Sequence, residues 1–262
     1  MKIEGRTFVI TGGASGLGRA TAEMIGQNGG NVAILDLNAD LGKATAAELG
    51  PFARFFPCDV TSTESIARAV EGTVAWVKET GKELGGIVPA AGIANPGTIL
   101  DRTGKPFDLS TFDLVIAVNV RGVIDTVRQF LEHLAQVPPV GPDGERGVIV
   151  LVASTAAFEA QKGQVAYGAS KGAIAGMTLP MTRDLARYGV RVVSIAPSPF
   201  RSPMEAMMSE KVKKGLLAAV EFPRRSGEPV EFAALVKHSI ENSMLNGSVI
   251  RIDGGMRLPS KM

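Results

Sequence analysis

The sequence predicts an α/β protein with a doubly wound, seven-stranded parallel sheet flanked by helices. Short apolar runs alternate with longer segments of helical periodicity along the chain, an order that is typical of repeated βαβ units. The runs are apolar enough to be buried on both faces, as the strands of a parallel sheet are. With 45% hydrophobic and 21% charged residues among 262, the chain has enough apolar material for a large core.

The individual elements follow from these runs and from the residues that bound them. We predict strands at residues 7–11, 31–36, 54–58, 86–90, 147–153, 191–196 and 248–252. Several of the intervening segments begin after an Asp or Ser that is suited to cap a helix. We predict helices at residues 17–28, 39–49, 62–79, 111–136, 167–188 and 229–242. The connections are mostly short and no linker divides the chain, so we expect residues 1–262 to form a single domain.

Three segments interrupt the regular alternation, at residues 95–109, 137–146 and 198–225. The first two are rich in Gly and Pro, and we interpret residues 137–146 as a tolerated surface insertion. Residues 198–225 form a long excursion between a strand and a helix. Because such excursions often cover functional sites, we interpret this segment as a mobile lid.

Charge and cysteine content exclude several classes of protein. The 28 basic and 26 acidic residues are interleaved, so we do not expect nucleic acid as the primary ligand. Cys58 is the single cysteine, which excludes an intramolecular disulfide and a cysteine-based metal cluster, and no other metal-ligand spacing is present. Residues 1–6 lead directly into the first strand, and no apolar run reaches the roughly 18 residues of a membrane span. We therefore expect an intracellular protein without a targeting segment.

A glycine-rich turn at residues 11–18 stands where the first strand meets the first helix. Free N–H groups and the helix dipole favour a phosphate there. Gly12 permits the turn, Gly16 lets the backbone approach a pyrophosphate, and Gly18 lets the helix pack against the sheet. Glycine also serves other tight turns, but this context is the one that a Rossmann-type dinucleotide site requires. The candidate contacts in the turn are Gly12, Ser15, Gly16, Leu17 and Gly18.

Two carboxylates at strand ends extend the predicted dinucleotide site. Asp36 ends the second strand, where it can accept hydrogen bonds from the adenosine ribose and repel a 2′-phosphate. No Arg follows in residues 37–39, so the sequence favours NAD over NADP, although Asp36 could instead cap the turn. Asp59 ends the third strand and, with Val60, can lie near the adenine. Taken alone, Asp59 is more often a helix-leading cap.

Four further residues suggest proton transfer. Ser154 follows the fifth predicted strand, and Tyr167 stands one helical turn before Lys171, so the last two share a helix face. A neighbouring ammonium favours the phenolate and lowers the pKa of a tyrosine, so we expect Lys171 to activate Tyr167 as the proton-transfer group. Ser154 can hold the substrate oxygen, Lys171 can also bind the nicotinamide ribose, and Asn119 can secure a water that links Lys171 to solvent.

Competing interpretations of these residues are weaker. A Tyr and a Lys at this spacing are usually a surface pair, but here they follow an NAD-type turn and a serine at a strand end. Cys58 has no evident partner for nucleophilic chemistry. His133 and His238 lie in amphipathic helices, where solvated or packed roles are expected.

Taken together, these residues resemble the short-chain dehydrogenase/reductase family. The glycine turn, Asp59, Ala91, Gly92, Asn119, Ser154, Tyr167 and Lys171 occur in the family's order over nearly the whole chain. The resemblance implies that the Ser, Tyr, Lys and Asn are catalytic. The cofactor contacts that it adds are Ala90, Ala91, Gly92, Tyr167, Lys171, Pro197, Phe200 and Ser202. One departure is Pro89–Ala90, where the family has an Asn that ties the central strands, and this affects local stability more than chemistry.

Within the family the chain is most similar to members that oxidise 3-hydroxyacyl-CoA thioesters. The similar stretches are residues 11–18, 146–149, 156–160, 169–180, 183–186, 195–197 and 245–254. The resemblance implies an NAD-dependent dehydrogenase of fatty acid metabolism and a homotetramer to which residues 257–262 contribute. It leaves open a hydroxysteroid or other secondary alcohol as substrate, and a non-catalytic role as a subunit of an RNA-processing assembly. It implies a mitochondrial location for an animal protein and a cytoplasmic one for a bacterial protein.

Basic residues in the two covering segments have two interpretations. They either meet the phosphates of CoA or are ordinary solvated surface charges, which is the more common case for exposed Lys. The residues are Lys105, Lys211, Lys213, Lys214, Arg224 and Arg225.

Overall fold

A computed structural model describes residues 1–258, in which seven strands form one all-parallel sheet. The strands are β1 (Thr7–Thr11), β2 (Asn31–Asp36), β3 (Ala53–Pro57), β4 (Leu84–Pro89), β5 (Gly147–Val152), β6 (Val190–Pro197) and β7 (Val249–Ile252). Their spatial order is β3-β2-β1-β4-β5-β6-β7, so the chain builds the sheet outward in one direction from β1 to β3 and in the other direction from β4 to β7. The predicted fold class is confirmed, and ligands of such sheets bind outside the carboxyl ends of the strands where the two directions meet, between β1 and β4.

The helices cover both faces of the sheet. They are α1 (Gly16–Gln27), α2 (Ala39–Leu49), α3 (Thr63–Thr80), α4 (Leu109–Ile116), α5 (Gly122–Leu134), α6 (Ala156–Glu159), α7 (Val165–Leu185), α8 (Pro203–Ala206), α9 (Glu210–Ala218) and α10 (Pro229–Glu241). One apolar cluster includes Trp76 and Phe130, and a second includes Phe8 and Phe232. Within residues 1–258, no helix is long and apolar enough to cross a membrane.

Two predicted elements differ from the structure. The predicted helix at residues 111–136 is divided by a π-helical turn, Ala117–Arg121, between α4 and α5. The segment that the sequence predicts to be a lid, residues 198–225, contains α8 and α9, which the sequence did not predict as elements. Both differences arise where tertiary contacts select a local geometry that hydrophobic periodicity does not encode. The predicted role of residues 257–262 in a tetramer lies mostly outside the described residues, because the description ends at residue 258.

Pro89 shortens the pairing at the centre of the sheet. β4 pairs with β1 as far as Pro89 opposite Thr11, but it pairs with β5 only at Gly86 and Ile87. Since proline has no N–H to donate, it cannot extend a ladder on that side. The carboxyl ends of β4 and β5 are therefore less tightly joined than those of β5 and β6, which pair over six residues.

Residues 137–146 are only partly a surface insertion. The tip at residues 138–143 is largely exposed, as predicted, but Val137 and Glu145 are buried. Glu145 Oε1 accepts a hydrogen bond from Arg191 Nε at 2.8 Å. The segment is thus anchored to the start of β6, at the edge of the sheet opposite the predicted site.

Candidate active site

The glycine turn has the geometry that the sequence predicts. Gly12 has a φ of 65°, and a Cβ there would lie 2.9 Å from the backbone of Ala91. A Cβ on Gly18 would lie 2.2 Å from the carbonyl oxygen of Gly12. Leu17, in the first turn of α1, packs against the core. Only glycine fits at these two positions, so the turn is a tight cradle at the carboxyl end of β1.

The remaining glycine of the motif lies against the lid, a contact that the sequence did not reveal. Gly16 has a φ of 52°, and a Cβ there would lie 3.3 Å from Cβ of Ser202 and 3.5 Å from Cδ of Pro203. Ser15 precedes α1, but its side chain makes no capping hydrogen bond. The first N–H groups of α1 therefore receive no partner from that side chain, which suits an anion such as a pyrophosphate.

Both predicted carboxylates lie at the same edge of the sheet, and both also hold turns. Asp36 Oδ2 accepts from the N–H of Ala14 at 3.1 Å, and its Oδ1 accepts from the N–H of Asn38 at 3.0 Å. Asp59 Oδ1 accepts from the N–H and the hydroxyl of Thr61, at 2.9 and 2.7 Å. The turn-capping alternative is thus realised for Asp36, whereas the helix cap considered for Asp59 is wrong, because Ser62 caps α3 and Asp59 holds only the preceding turn. Because a carboxylate has about four acceptor positions, each can still accept further donors.

The segment after β4 connects the glycine turn to the residues predicted for catalysis. The N–H of Ala90 donates to the carbonyl of Thr11, and the N–H of Ala91 donates to the hydroxyl of Thr11, both at 3.1 Å. A Cβ on Gly92 would lie 3.3 Å from Oδ1 of Asn119 and 3.7 Å from Nζ of Lys171. A larger residue at position 92 would press on both side chains.

Ser154 and Tyr167 come together as predicted. Ser154 follows β5, is buried, and its Oγ accepts from the N–H of Ala156 at 3.1 Å. Tyr167 lies in the first turn of α7, with its phenol near the Ser154 hydroxyl. Burial raises the pKa of Tyr167, and the nearby Ser154 hydroxyl, as a donor to the phenolate, opposes that rise. The phenol is therefore protonated at neutral pH and is placed to donate.

Lys171 lies beside this pair, and its catalytic role stays a prediction. Its Nζ donates to the carbonyl of Val152 at 2.8 Å and lies 5.7 Å from the ring centroid of Tyr167. Burial lowers the pKa of Lys171 to about 8. The expectation that the ammonium lowers the pKa of Tyr167 is not met in the free protein, where the burial of the phenol dominates and raises that pKa.

Asn119 is buried inside the π-helical turn, and its side chain is occupied. Oδ1 accepts from the N–H of Ile93 at 2.9 Å, and Nδ2 donates to the carbonyl of Ile93 at 2.8 Å and to Oγ of Ser170 at 3.0 Å. Both amide hydrogens have partners and Oδ1 keeps one acceptor position, so the role of Asn119 in securing a water stays a prediction. Asn119 also ties the segment after β4 to α7. Nearby, half-buried Val60 packs against the core.

The base of the lid is fixed to the sheet. Pro197 ends β6, and Phe200, which is buried, packs edge-on against Phe232 with ring centroids 6.2 Å apart. The N–H of Arg201 donates to the carbonyl of Gly227 at 2.9 Å, and the N–H of Gly227 donates back to the carbonyl of Pro199 at 3.0 Å. These two bonds hold the ends of the lid together.

Ser202 serves a local structural role in addition to its predicted one. Its Oγ accepts from the N–H of Glu205 at 3.2 Å and so caps α8. The carboxylate of Glu205 accepts from the hydroxyl of Ser226 at 2.5 Å. The lid residue predicted for the nicotinamide site therefore stands at the start of a short helix that is tied to the lid's far end.

Two of the basic residues that could meet CoA phosphates are paired within the protein. Lys213 Nζ lies 3.1 Å from the carboxylate of Glu210, and Arg225 makes a bidentate salt bridge with Glu231 through two hydrogen bonds of 2.8 Å. The other four side chains are exposed, and they are Lys105, Lys211, Lys214 and Arg224.

The alternative chemistries remain unsupported by the described residues. Cys58 is buried, and burial raises the pKa of its thiol to about 12, so it is a poor nucleophile. His238 lies 3.2 Å from the amide of Asn242 on its own helix. Among residues 1–258, no group of three or more His, Cys, Asp or Glu side chains could hold a metal ion.

Sequence reasoning missed two buried hydroxyls that contact the site. Ser170 Oγ accepts from Asn119 and donates to the carbonyl of Tyr167 at 2.7 Å. Thr45 Oγ1 donates to the carbonyl of Ala14 in the glycine turn at 3.1 Å. The sequence signal for these two residues was weak: each is a polar residue at a position that helical periodicity assigns to the buried face of its helix.

Comparisons with known proteins agree with this geometry. A family model described as short chain dehydrogenase matches residues 6–213. The chain is 44% identical over 257 residues to the 3-hydroxyacyl-CoA dehydrogenase type-2 of Homo sapiens, covering 98% of this chain and 97% of that protein. It is 42% identical over 257 residues to the protein of the same name from Drosophila melanogaster, covering 98% and 99% of the two chains.

Solved structures show the same similarity. The crystal structure of 3-hydroxyacyl-CoA dehydrogenase type-2 from Mycobacterium avium superposes with a TM-score of 0.90 at 36% identity, covering 98% of each chain. A 3-ketoacyl-(acyl-carrier-protein) reductase from Brucella melitensis, complexed with NADH, gives a TM-score of 0.83 at 25% identity, covering 97% of this chain and 98% of that chain.

Proposed function

The chain belongs to the short-chain dehydrogenase family, and from that premise we propose that it is an NAD-dependent 3-hydroxyacyl-CoA dehydrogenase. It would interconvert 3-hydroxyacyl-CoA and 3-oxoacyl-CoA as one dinucleotide-binding domain. The observation that carries this proposal is the juxtaposition of Ser154, Tyr167 and Lys171 at the sheet edge that also holds the glycine turn. The substrate class rests on the similarity to relatives of that name.

Residues of this chain would donate and accept the proton. In the reductive direction Ser154 holds the ketone oxygen by a hydrogen bond, and Tyr167 donates its phenolic proton to that oxygen as the carbonyl becomes an alcohol. In the oxidative direction Tyr167 takes the proton back. Lys171 keeps a positive charge near the phenol at pH 7, because its pKa is about 8, and this charge favours the phenolate when it forms. When bound, the nicotinamide supplies or accepts the hydride at carbon.

The cofactor fits the residues present, because the glycine turn is a cradle that a Cβ would fill. In our assignment the turn holds the pyrophosphate, Asp36 the ribose, and Asp59 with Val60 the adenine. Asn119 acts through Ile93 and Ser170 as a positioning residue. The remaining proposed contacts, toward the nicotinamide, are Ala90, Ala91, Gly92, Tyr167, Lys171, Pro197, Phe200 and Ser202. We also propose a homotetramer, in line with the family resemblance.

The substrate class is tested by NADH oxidation at 340 nm. We expect rapid turnover of acetoacetyl-CoA with NADH and slow turnover with a simple ketone or a ketosteroid. Activity confined to the ketone or the steroid would retain the chemistry of Tyr167 and discard the thioester. No turnover of any of these, with a cellular function that survives loss of the Tyr167 hydroxyl, would point to the scaffold role.

Cofactor choice is tested by Asp36→Asn, which removes the negative charge but keeps an oxygen acceptor for a turn N–H. We expect the ratio of kcat/KM for NADPH to that for NADH to rise at least about tenfold, because a 2′-phosphate no longer meets a carboxylate. The matched control is Asp40→Asn, an exposed carboxylate in the first turn of α2. An unchanged ratio, or an equal rise in the control, would remove Asp36 from the role of selector.

A further inference from the structure

A buried hydroxyl on α2 donates a hydrogen bond to the backbone of the glycine turn. Thr45 is fully buried, and its Oγ1 donates to the carbonyl of Ala14 at 3.1 Å, 31 residues earlier in the chain. The buried residues of α2 are Gly42 and Thr45. A Cβ on Gly42 would lie 2.2 Å from the ring of Phe55, so this helix packs unusually close to the sheet. That close approach brings the hydroxyl of Thr45 within reach of the turn.

The peptide units on both sides of Ala14 are held by different elements. The N–H of Ala14 donates to Oδ2 of Asp36 at 3.1 Å, at the end of β2. Its carbonyl accepts from Thr45 on α2. Ala14 itself is 1% exposed, so neither polar group can use bulk water instead.

Peptide planarity carries this restraint forward along the turn. The carbonyl of Ala14 and the N–H of Ser15 belong to one planar trans unit and point in opposite directions. By drawing the carbonyl toward α2, Thr45 turns the N–H of Ser15 away from α2. That N–H meets no acceptor among residues 1–258.

We infer that Thr45 is a positioning residue for the dinucleotide: it sets the orientation of the Ser15 N–H in the turn that binds the pyrophosphate. The inference rests on the proposed function, because it assigns Thr45 to the same cofactor site. Without the Thr45 hydroxyl, the buried carbonyl of Ala14 loses its donor and the peptide unit is free to rotate. Thr45 touches neither substrate nor cofactor and acts through the backbone of Ala14.

The test compares three variants. Thr45→Val removes the hydroxyl at nearly the same side-chain volume, and Thr45→Ser keeps the hydroxyl but removes the methyl group. Thr73→Val is the matched control: Thr73 is also fully buried on a helix, and its hydroxyl donates to the carbonyl of Ala69 at 2.7 Å, away from the turn. Affinity for NADH is measured by titration of nicotinamide fluorescence. Amide exchange of residues 11–18 is measured by mass spectrometry on the free protein, and stability is measured by urea unfolding.

We expect Thr45→Val to weaken NADH binding about tenfold and to speed amide exchange in the turn, with kcat at saturating NADH unchanged. The NADH affinity of Thr45→Ser should stay within about twofold of the parent value, and Thr73→Val should bind NADH as the parent does. The inference is overturned if Thr45→Val binds NADH like the parent, or if Thr73→Val weakens binding equally. If the parent protein binds no dinucleotide, the proposed function is wrong. Amide exchange on the free protein then still tests the positioning role, which is overturned if residues 11–18 exchange at the same rate in Thr45→Val as in the parent.

Discussion

Replacing Tyr167 with phenylalanine is expected to lower kcat for acetoacetyl-CoA reduction by at least about 10³-fold while NADH affinity stays within about twofold. The substitution removes only the phenolic oxygen, which lies near the Ser154 hydroxyl. Without it, the developing alkoxide has no acid beside it, because the charge of Lys171 is directed at the carbonyl of Val152. Steady-state kinetics and NADH titration on the same preparation separate the chemical step from binding.

The chain supplies its own control for this variant. Of its two tyrosines, the other is Tyr188, which is half exposed and stacks on Arg187. Tyr188→Phe should leave kcat unchanged. Retention of more than about a tenth of the parent kcat by Tyr167→Phe would assign proton transfer to another group.

The pH dependence follows from the direction of the Tyr167 shift. Burial raises the pKa of the phenol, so the protonated form that reduction needs is present at neutral pH. Oxidation needs the phenolate, so its rate should increase with pH up to the raised pKa of the phenol, while the reduction rate should stay level near neutrality and decrease only as the pH passes that pKa. Tyr167→Phe should abolish both trends.

Replacing Glu145 with alanine is expected to lower the free energy of unfolding by about 3 kcal/mol, because it leaves a buried guanidinium without its counter-ion. The side chains of Arg191 and Glu145 are 7% and 8% exposed and approach to 2.7 Å. The other oxygen of Glu145 lies 2.7 Å from the amino group of Met1. Arg191 also donates to the carbonyls of Ser239 and Ile240 in the last turn of α10, where a helix leaves acceptors unpaired.

Urea unfolding at several protein concentrations measures this loss and corrects for any assembly. The matched control is Asp143→Ala, an exposed carboxylate in the same segment, which should change stability by less than about 0.5 kcal/mol. Since the pair lies at the opposite edge of the sheet from Tyr167, kcat of the folded Glu145→Ala protein should match the parent. A loss of stability below about 1 kcal/mol would show that the backbone carbonyls alone satisfy Arg191.

The sheet and the motif residues were predictable because their signals are local. The predicted bounds of β1 and β2 agree with the structure, since each is a run of buried residues that ends at a glycine turn or a carboxylate. The family assignment made from the glycine turn and the residues around Tyr167 is confirmed by the family match over residues 6–213. A residue's place at the end of a strand follows from the strand itself, because parallel strands share one carboxyl edge.

The contacts made by those residues were less predictable. The π-helical turn at Asn119 shifts the hydrogen bonding of one helix without changing its apolar period, so no pattern marks it. The side chain of Asn119 has its partners at Ile93 and Ser170, which lie 26 and 51 residues away. The lid also presented only a long irregular segment in sequence, although it contains two helices.

The sequence by itself determined the alternation of strands and helices, the glycine turn, and the identity of the proton-transfer candidates. These depend on periodicity and on intrinsic chemistry, which short stretches carry. Only the tertiary structure decided what each group bonds to: Lys171 to Val152, Glu145 to Arg191, and Thr45 to Ala14. A buried donor or acceptor must be satisfied by whichever partner the packed chain brings near, and that partner is set by the whole fold rather than by neighbouring residues.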